Sequence, residues 1–336
     1  MSGALRTRQL GAAGAEITTI GFGAWGVGGT ASQLGLGEVD DRESVAAVRA
    51  AIESGVNWID TAPAYGAGHS EEVVGRAIEP YRAGVDVFVF TKCGISFEHG
   101  FELDSSPVAI RRGCEASLRR LGVERLDALQ IHWLASAAAG DLEESWATLA
   151  TLVDEGKVRW IGASNFDVAL LERCEALRHV DIAQPPLSLL RRGARDAIAP
   201  WCAQNGTAAI VYSPLATGLL TGAYDRRRVE SLPDDDARAR VWSDFREPRL
   251  GPALALVERL RPLAAGLGVT LTTLALAWAL AVAGVSGAIV GGRRPDQIAD
   301  WLAAGNLDLE PSLLAAIEEL VRETGAGDDD PPATSL

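Results

Sequence analysis

Four residues have types and placements that could do chemistry together: Asp60, Tyr65, Lys92 and His132. Asp60 follows the apolar run Asn57-Trp58-Ile59, Lys92 follows Val89-Phe90-Thr91, and His132 follows Leu129-Gln130-Ile131. Tyr65 sits a short turn beyond Asp60, in Ala64-Tyr65-Gly66. The set points to acid–base work. A free tyrosine has a pKa of ~10, too high for a good proton donor near neutral pH. A neighbouring ammonium favours the phenolate and lowers that value. A carboxylate beside the lysine would keep it charged and oriented, and a histidine could hydrogen-bond a substrate oxygen. Each residue alone has a plainer reading. Asp60 could cap a turn, Lys92 could pair on the surface, and Tyr65 and His132 could simply pack. The pattern recurs, however, and all four plain readings holding at once is the harder position. Ser164-Asn165 follow Ile161-Gly162-Ala163, Gln184 follows Ile182-Ala183, Tyr212-Ser213 follow Ile210-Val211, and Gly291-Gly292 follow Ile289-Val290.

Those strand ends need elements to hold them. Short apolar, often β-branched runs predict strands at 17–21, 56–59, 87–91, 128–131, 159–164, 182–184, 209–212 and 287–290. Helical patterns lie between them, at 41–54, from Ser70 to Pro80, from Ser106-Pro107, and at 141–154, 167–178, 195–204, 252–266 and 271–283. Eight such units fit either a (β/α)8 barrel or a doubly wound sheet. In a barrel the strand ends form one ring around one mouth, where active sites lie. Residues 8–17 read as a small β-hairpin ahead of the first strand, and 311–323 as an extra helix after the eighth unit. One domain is therefore expected over 1–323. A charged insertion at 222–251 interrupts it; within that insertion, 225–249 holds seven acids and seven bases. Long loops of this kind are either solvated surface or lids over the site. The Gly/Asp/Pro-rich 324–336 predicts a disordered acidic tail.

Composition narrows the class. At 336 residues, 48% hydrophobic and 23% charged, the chain is an ordinary globular protein, not a disordered, collagenous or disulfide-built one. No apolar run reaches the ~18 residues of a membrane span, and nothing apolar follows Arg6 and Arg8 to make a secretory signal. A net charge of −14 disfavours nucleic acid and anionic membrane as partners. Cys93, Cys114, Cys174 and Cys202 form no CxxC pair and read as reduced thiols of a cytoplasmic protein. The four histidines form no metal-ligand cluster, so no metal is expected.

Several segments together carry a family resemblance. These are Gly55-Val56-Asn57-Trp58-Ile59-Asp60-Thr61-Ala62-Pro63-Ala64-Tyr65-Gly66 with Ser70-Glu71, Val89-Phe90-Thr91-Lys92, and Leu129-Gln130-Ile131-His132-Trp133. The run from Gly156-Lys157-Val158 to Ser164-Asn165-Phe166 and Tyr212-Ser213-Pro214-Leu215 complete the set. In this order the chain resembles a bacterial-type aldo-keto reductase over about residues 5 to 322. The resemblance implies a (β/α)8 TIM barrel and hydride transfer between a nicotinamide cofactor and a small aldehyde or ketone. It implies Tyr65 as general acid, Lys92 lowering its pKa, Asp60 paired with Lys92, and His132 orienting the carbonyl. Ser164, Asn165 and Gln184 would hold the nicotinamide carboxamide, and Tyr212 would stack on the ring. Ser213, Leu215, Gly218, Gly291, Arg293 and Gln297 would complete the cofactor site. Trp25 and Trp133 would wall the substrate pocket. Arg293, with its planar fork of donors, is the candidate for an adenosine 2′-phosphate. That favours NADPH, with NADH the alternative. Leu187 stands where many relatives carry an aromatic residue. Monomer and homo-oligomer are both compatible with the sequence.

Three other readings compete. Gly21-Phe22-Gly23-Ala24-Trp25-Gly26 fits G-x-G-x-x-G, but no helical pattern starts until about Asp41, and Trp25 would crowd a phosphate, so the match is accidental. A phosphate-substrate isomerase could use Gly291-Gly292 but leaves the four acid–base residues idle. A cofactor-sensing regulatory subunit with low turnover would keep the cofactor site.

Overall fold

The protein is described by a computed structural model covering residues 4–29, 35, 37–82, 84, 87–96, 102–134, 141–234 and 236–327. Eight parallel strands close into a barrel: β1 (Ile20–Gly23), β2 (Trp58–Asp60), β3 (Phe88–Cys93), β4 (Leu126–Ile131), β5 (Val158–Ser164), β6 (Ile182–Gln184), β7 (Ala208–Val211) and β8 (Val285–Gly291). Each strand pairs with its neighbours in sequence, and β8 returns to β1 through Ala288↔Ile20 and Gly291↔Gly23. The doubly wound alternative is thereby excluded. Helices α1 (Asp41–Glu53), α2 (His69–Ile78), α3 (Pro107–Leu121), α4 (Leu142–Asp154), α5 (Val168–Glu175), α6 (Ile198–Asn205), α7 (Leu250–Leu267), α8 (Leu271–Ala281) and α9 (Asp296–Leu302) alternate with the strands. Side chains start several of them where the sequence placed a start. Asp40 accepts from the Arg42 amide at 2.7 Å, Asp167 from Leu170 at 2.9 Å, and Ser106 from Ala109 at 3.3 Å, ahead of Pro107.

Two boundaries differ from expectation. The first barrel strand is 20–23, not 17–21, because Ile17 and Thr18 pair backwards with Arg8 and Thr7 in the hairpin Thr7–Gln9/Glu16–Thr18. The helix expected at 195–204 breaks at Ala197, whose φ of −131° leaves the helical region. The hairpin plugs the barrel floor: Leu10 and Ile17 join Trp58, Phe90, Trp160, Ile182 and Ile210 in one fully packed interior cluster. The glycine pattern of 21–26 serves this packing. A Cβ on Gly21 would lie 2.2 Å from the Trp58 indole, and the chain then enters a tight turn, Ala24–Val27, rather than a helix.

The charged stretch after β7 is folded over its described residues. It holds a kinked turn (Ala216–Thr221), two short helices (Arg226–Glu230 and Ala237–Arg240) and a further turn (Ser243–Phe245). Its charges pair internally: Arg238 with Asp236, Arg226 with Glu247 at 2.6 Å, and Arg249 with Asp244 at 2.8 Å. The Ala237 amide donates to the Gly35 carbonyl at 3.3 Å, and Trp242 stacks on Trp25 at 5.3 Å between centroids. The stretch therefore crosses the barrel mouth to the loop after β1. The final helix, α10 (Pro311–Thr324), includes Thr324, and Ala326 is buried, so the first residues assigned to a tail pack on the barrel. Residues 328–336 lie outside the described ones. No single described helix is long and apolar enough to cross a membrane.

Candidate active site

Asp60, Lys92 and His132 stand at the C-terminal ends of β2, β3 and β4, and Tyr65 in the loop after β2, as the strand-end pattern requires. Lys92 is fully buried, and its ammonium has three partners. It donates to Asp60 Oδ1, to the Thr61 carbonyl at 3.1 Å and to the Tyr65 hydroxyl at 3.3 Å. Asp60 Oδ2 accepts from Gln184 Nε2 at 2.8 Å and from Gln130 Nε2 at 3.3 Å. The Tyr65 and His132 rings meet edge to face at 5.8 Å. Four groups from distant stretches of chain thus converge.

The Tyr65 loop is held by close approach. Thr61 and Ser70 share a hydrogen bond of 2.8 Å, and the Ser70 hydroxyl donates to the Ala24 carbonyl at 2.8 Å. At Gly66, with φ +67°, a Cβ would stand 1.8 Å from the Gly28 carbonyl oxygen, so only glycine lets this turn press on the loop after β1. Behind Lys92, Thr91 donates to the buried Glu71 carboxylate at 2.6 Å, which pairs with Arg120.

Electrostatics correct one expectation. The Tyr65 phenol is not drawn down. Burial first, and the Asp60 carboxylate second, push it well above 10, because both disfavour a second anion beside Asp60. Tyr65 is therefore a fully protonated donor at neutral pH. Burial pulls Lys92 below 10.5, and Asp60, then Glu71, oppose that. Burial, then the Lys92 charge, hold His132 well below 6.5, so its imidazole is neutral.

The depressed histidine carries a stability consequence. Below about pH 6.5 the unfolded chain takes up a proton at His132 that the folded chain refuses. Stability is fully present above that value and falls as pH drops below it, by up to about 1.4 kcal/mol per pH unit for one proton. Urea melts at pH 7.5 and 5.5 should show a smaller loss for His132→Gln than for wild type. Equal losses would mean that His132 titrates normally.

A cavity of about 250 Å³ opens beside these groups. Trp25, Tyr65, His132, Trp133, Leu187 and Trp242 line it. Trp133 stacks on the His132 ring at 4.1 Å. The expected cofactor residues Ser164, Asn165, Gln184, Tyr212 and Ser213 line the same cavity. Asn165 donates to the His132 carbonyl at 2.9 Å and to Ser164 Oγ at 3.1 Å, and accepts from the Tyr212 hydroxyl at 2.7 Å. The next loop is backbone-strained. Ser213, Ala216 and Thr217 have φ of 53°, 46° and 52°, followed by Gly218 at 105°, and Leu215 lies within that run. At the end of β8, Gln297 Oε1 accepts from the amides of Arg293 at 2.7 Å and Arg294 at 3.2 Å. The Arg293 guanidinium donates to the Glu38 carbonyl, while Arg294 is forked onto Asp296. Gly291 ends β8 opposite Gly23. Among the described residues no group of His, Cys, Asp or Glu could hold a metal ion.

Gln130 and Trp242 are among the site residues that escaped the sequence reading. Gln130 is a polar residue inside an otherwise apolar strand, a signal that was present. Trp242 lies in the long charged stretch, and only folding brings it onto Trp25.

A model of the aldo/keto reductase family matches residues 19–322. The chain belongs to the aldo/keto reductase family. It is 32% identical over 323 residues to the NADH-specific methylglyoxal reductase of Escherichia coli, covering 93% of this chain and 97% of that one. Among solved structures it is similar to the glycerol dehydrogenase of Gluconobacter oxydans, with TM-score 0.82, 31% identity, and 95% and 94% of the two chains covered. It is also similar to an aldo/keto reductase of Klebsiella pneumoniae in complex with NADP and acetate, with TM-score 0.69, 29% identity, and 93% and 94% covered. Members of this family reduce small carbonyl compounds with a nicotinamide cofactor, as the resemblance implied.

This aldo/keto reductase has groups that fit such a cofactor. Gln184 lines the cavity, and its Nε2 donates to Asp60 Oδ2 and Gln130 Oε1, which leaves Oε1 as the polar atom of its amide open to a ligand. Thr217 Oγ1, in the strained loop, and Trp133 Nε1 are buried without a partner among the described residues. Buried polar atoms are rarely left so, and a bound polar ligand is one way to satisfy them.

Proposed function

We propose that this aldo/keto reductase reduces an aldehyde or ketone with NADPH, Tyr65 acting as the general acid. The convergence of Tyr65, Lys92, Asp60 and His132 beside one cavity carries the reading. The nicotinamide ring, when bound, supplies the hydride. Ser164, Asn165 and Gln184 would hold its carboxamide, Tyr212 would back the ring, and the loop with Ser213, Leu215 and Gly218 would hold the phosphates. Gly291, Arg293 and Gln297 would hold the adenosine end. The substrate oxygen sits between Tyr65 and His132, with Trp25 and Trp133 as walls. Tyr65 gives its proton to that oxygen. Lys92, locked to Asp60, holds the hydroxyl and stabilises the phenolate left behind. His132 is neutral and orients the carbonyl by a hydrogen bond. The chain's contribution is thus orientation and charge placement around the cofactor's chemistry.

NADH is the second reading, favoured by the NADH-specific name of the Escherichia coli relative. Arg293 favours NADPH, since a guanidinium suits a 2′-phosphate. Membership of an oxidoreductase family weighs against the isomerase reading, and turnover of a generic aldehyde would separate the enzyme from a sensor. The test is cofactor oxidation over a panel of aldehydes and ketones, with NADPH and NADH in parallel. Arg293→Ala is expected to weaken NADPH by on the order of tenfold or more, the worth of a charge-assisted contact, and NADH little. Equal losses remove Arg293 as the phosphate contact. No oxidation of either cofactor sinks the reading.

A further inference from the structure

Gln130 is wholly buried in β4 and has no place in the roles above. The barrel register sets it beside Lys92 on one side and Gly162 on the other. A Cβ on Gly162 would stand 3.0 Å from Gln130 Cγ, so that glycine leaves room for the amide. Gln130 donates to Asp60 Oδ2 at 3.3 Å, and its Oε1 accepts from Gln184 Nε2 at 3.1 Å. Gln184 Nε2 also donates to Asp60 Oδ2, at 2.8 Å. An ionised carboxylate can only accept, so Asp60 requires the NH2 ends of both glutamines to face it. Gln130 then takes the second N–H of Gln184. Both donors of Gln184 are consumed inside the barrel, and what it presents to the cavity is an acceptor oxygen.

We infer that Gln130 is a positioning residue: it locks the Gln184 amide with its carbonyl oxygen toward the cavity, so that the site selects a cofactor carrying a carboxamide NH2. The inference rests on the nicotinamide reading above and goes beyond it. What it adds is the role of Gln130, which sets the direction of the Gln184 amide. It also ties the carboxamide wall to the carboxylate that holds Lys92.

The test uses the full chain and two oxidised dinucleotides, NADP+ and its 3-acetylpyridine analogue. A methyl ketone replaces the amide in the analogue, so only the N–H donors are lost. Binding is read from quenching of the intrinsic fluorescence of the nine tryptophans, without turnover. Wild type is expected to bind NADP+ about tenfold more tightly than the analogue, the worth of one buried hydrogen bond. Gln130→Met matches the side chain in length and cannot hold the Gln184 N–H, and should reduce that ratio to about threefold. Equal binding of the two dinucleotides by wild type overturns the inference, and that comparison needs no variant. A Gln130→Met protein with native circular dichroism and an unchanged ratio overturns it too. Failure to bind NADP+, its analogue and NAD+ alike would instead sink the nicotinamide reading itself.

Discussion

Tyr65→Phe is expected to lower carbonyl reduction by about 10²- to 10⁴-fold while leaving cofactor affinity nearly unchanged. The expectation follows from the other donors around the cavity. His132 is held neutral by burial and by Lys92. Lys92 has no solvent contact, and Asp60, the Thr61 carbonyl and the Tyr65 hydroxyl occupy its donors. The phenol is the group that is protonated and lines the cavity. Removing one oxygen from a ring that also packs against His132 leaves the packing in place, so the loss should fall on kcat, not on binding. Single-turnover rates with saturating cofactor read the chemical step directly. A variant that kept most of its kcat would mean that another group delivers the proton.

Lys92→Met should have the second largest effect, and it should appear in stability as well as rate. Asp60 has 2% of its surface exposed, and its charge partner would be gone. Breaking a buried ion pair from one side costs about 3–5 kcal/mol. The amides of Gln130 and Gln184 remain on Oδ2, which argues for the low end. The reaction would lose the cation that stabilises the tyrosinate, so the apparent pKa of the acid step should rise and kcat should fall. Denaturant midpoints and pH–rate profiles together test this. An unchanged profile in a destabilised protein would reduce Lys92 to a structural cation; an unchanged midpoint would mean that the pair contributes little to folding.

Much of the arrangement was legible because the barrel writes its mouth into the chain as repeated apolar runs that end in polar residues. Asp60, Lys92 and His132 were visible for that reason. Strand edges were less so. Ile17 and Ile20 read as one apolar run, yet the backbone reverses its pairing between them, and only the hairpin contact with Thr7 and Arg8 separates the two strands. The direction of the Tyr65 shift was not legible. Sequence shows that a lysine is near, but not how deeply the phenol is buried, and burial dominates here. Trp242 was hard for a different reason. Its partner, Trp25, comes from the loop after β1, far away in sequence.

The burial of Lys92 matters in an unusual way for this chain, because Lys92 and Lys157 are its only lysines against 29 arginines. Lys157 is an outer residue, 35% exposed and paired with surface glutamates. A reagent that seeks primary amines therefore meets one side-chain target on the intact molecule, and it is not the one at the heart of the barrel. Acylation at position 92 would report a molecule that has come apart, which makes this residue a built-in gauge of integrity.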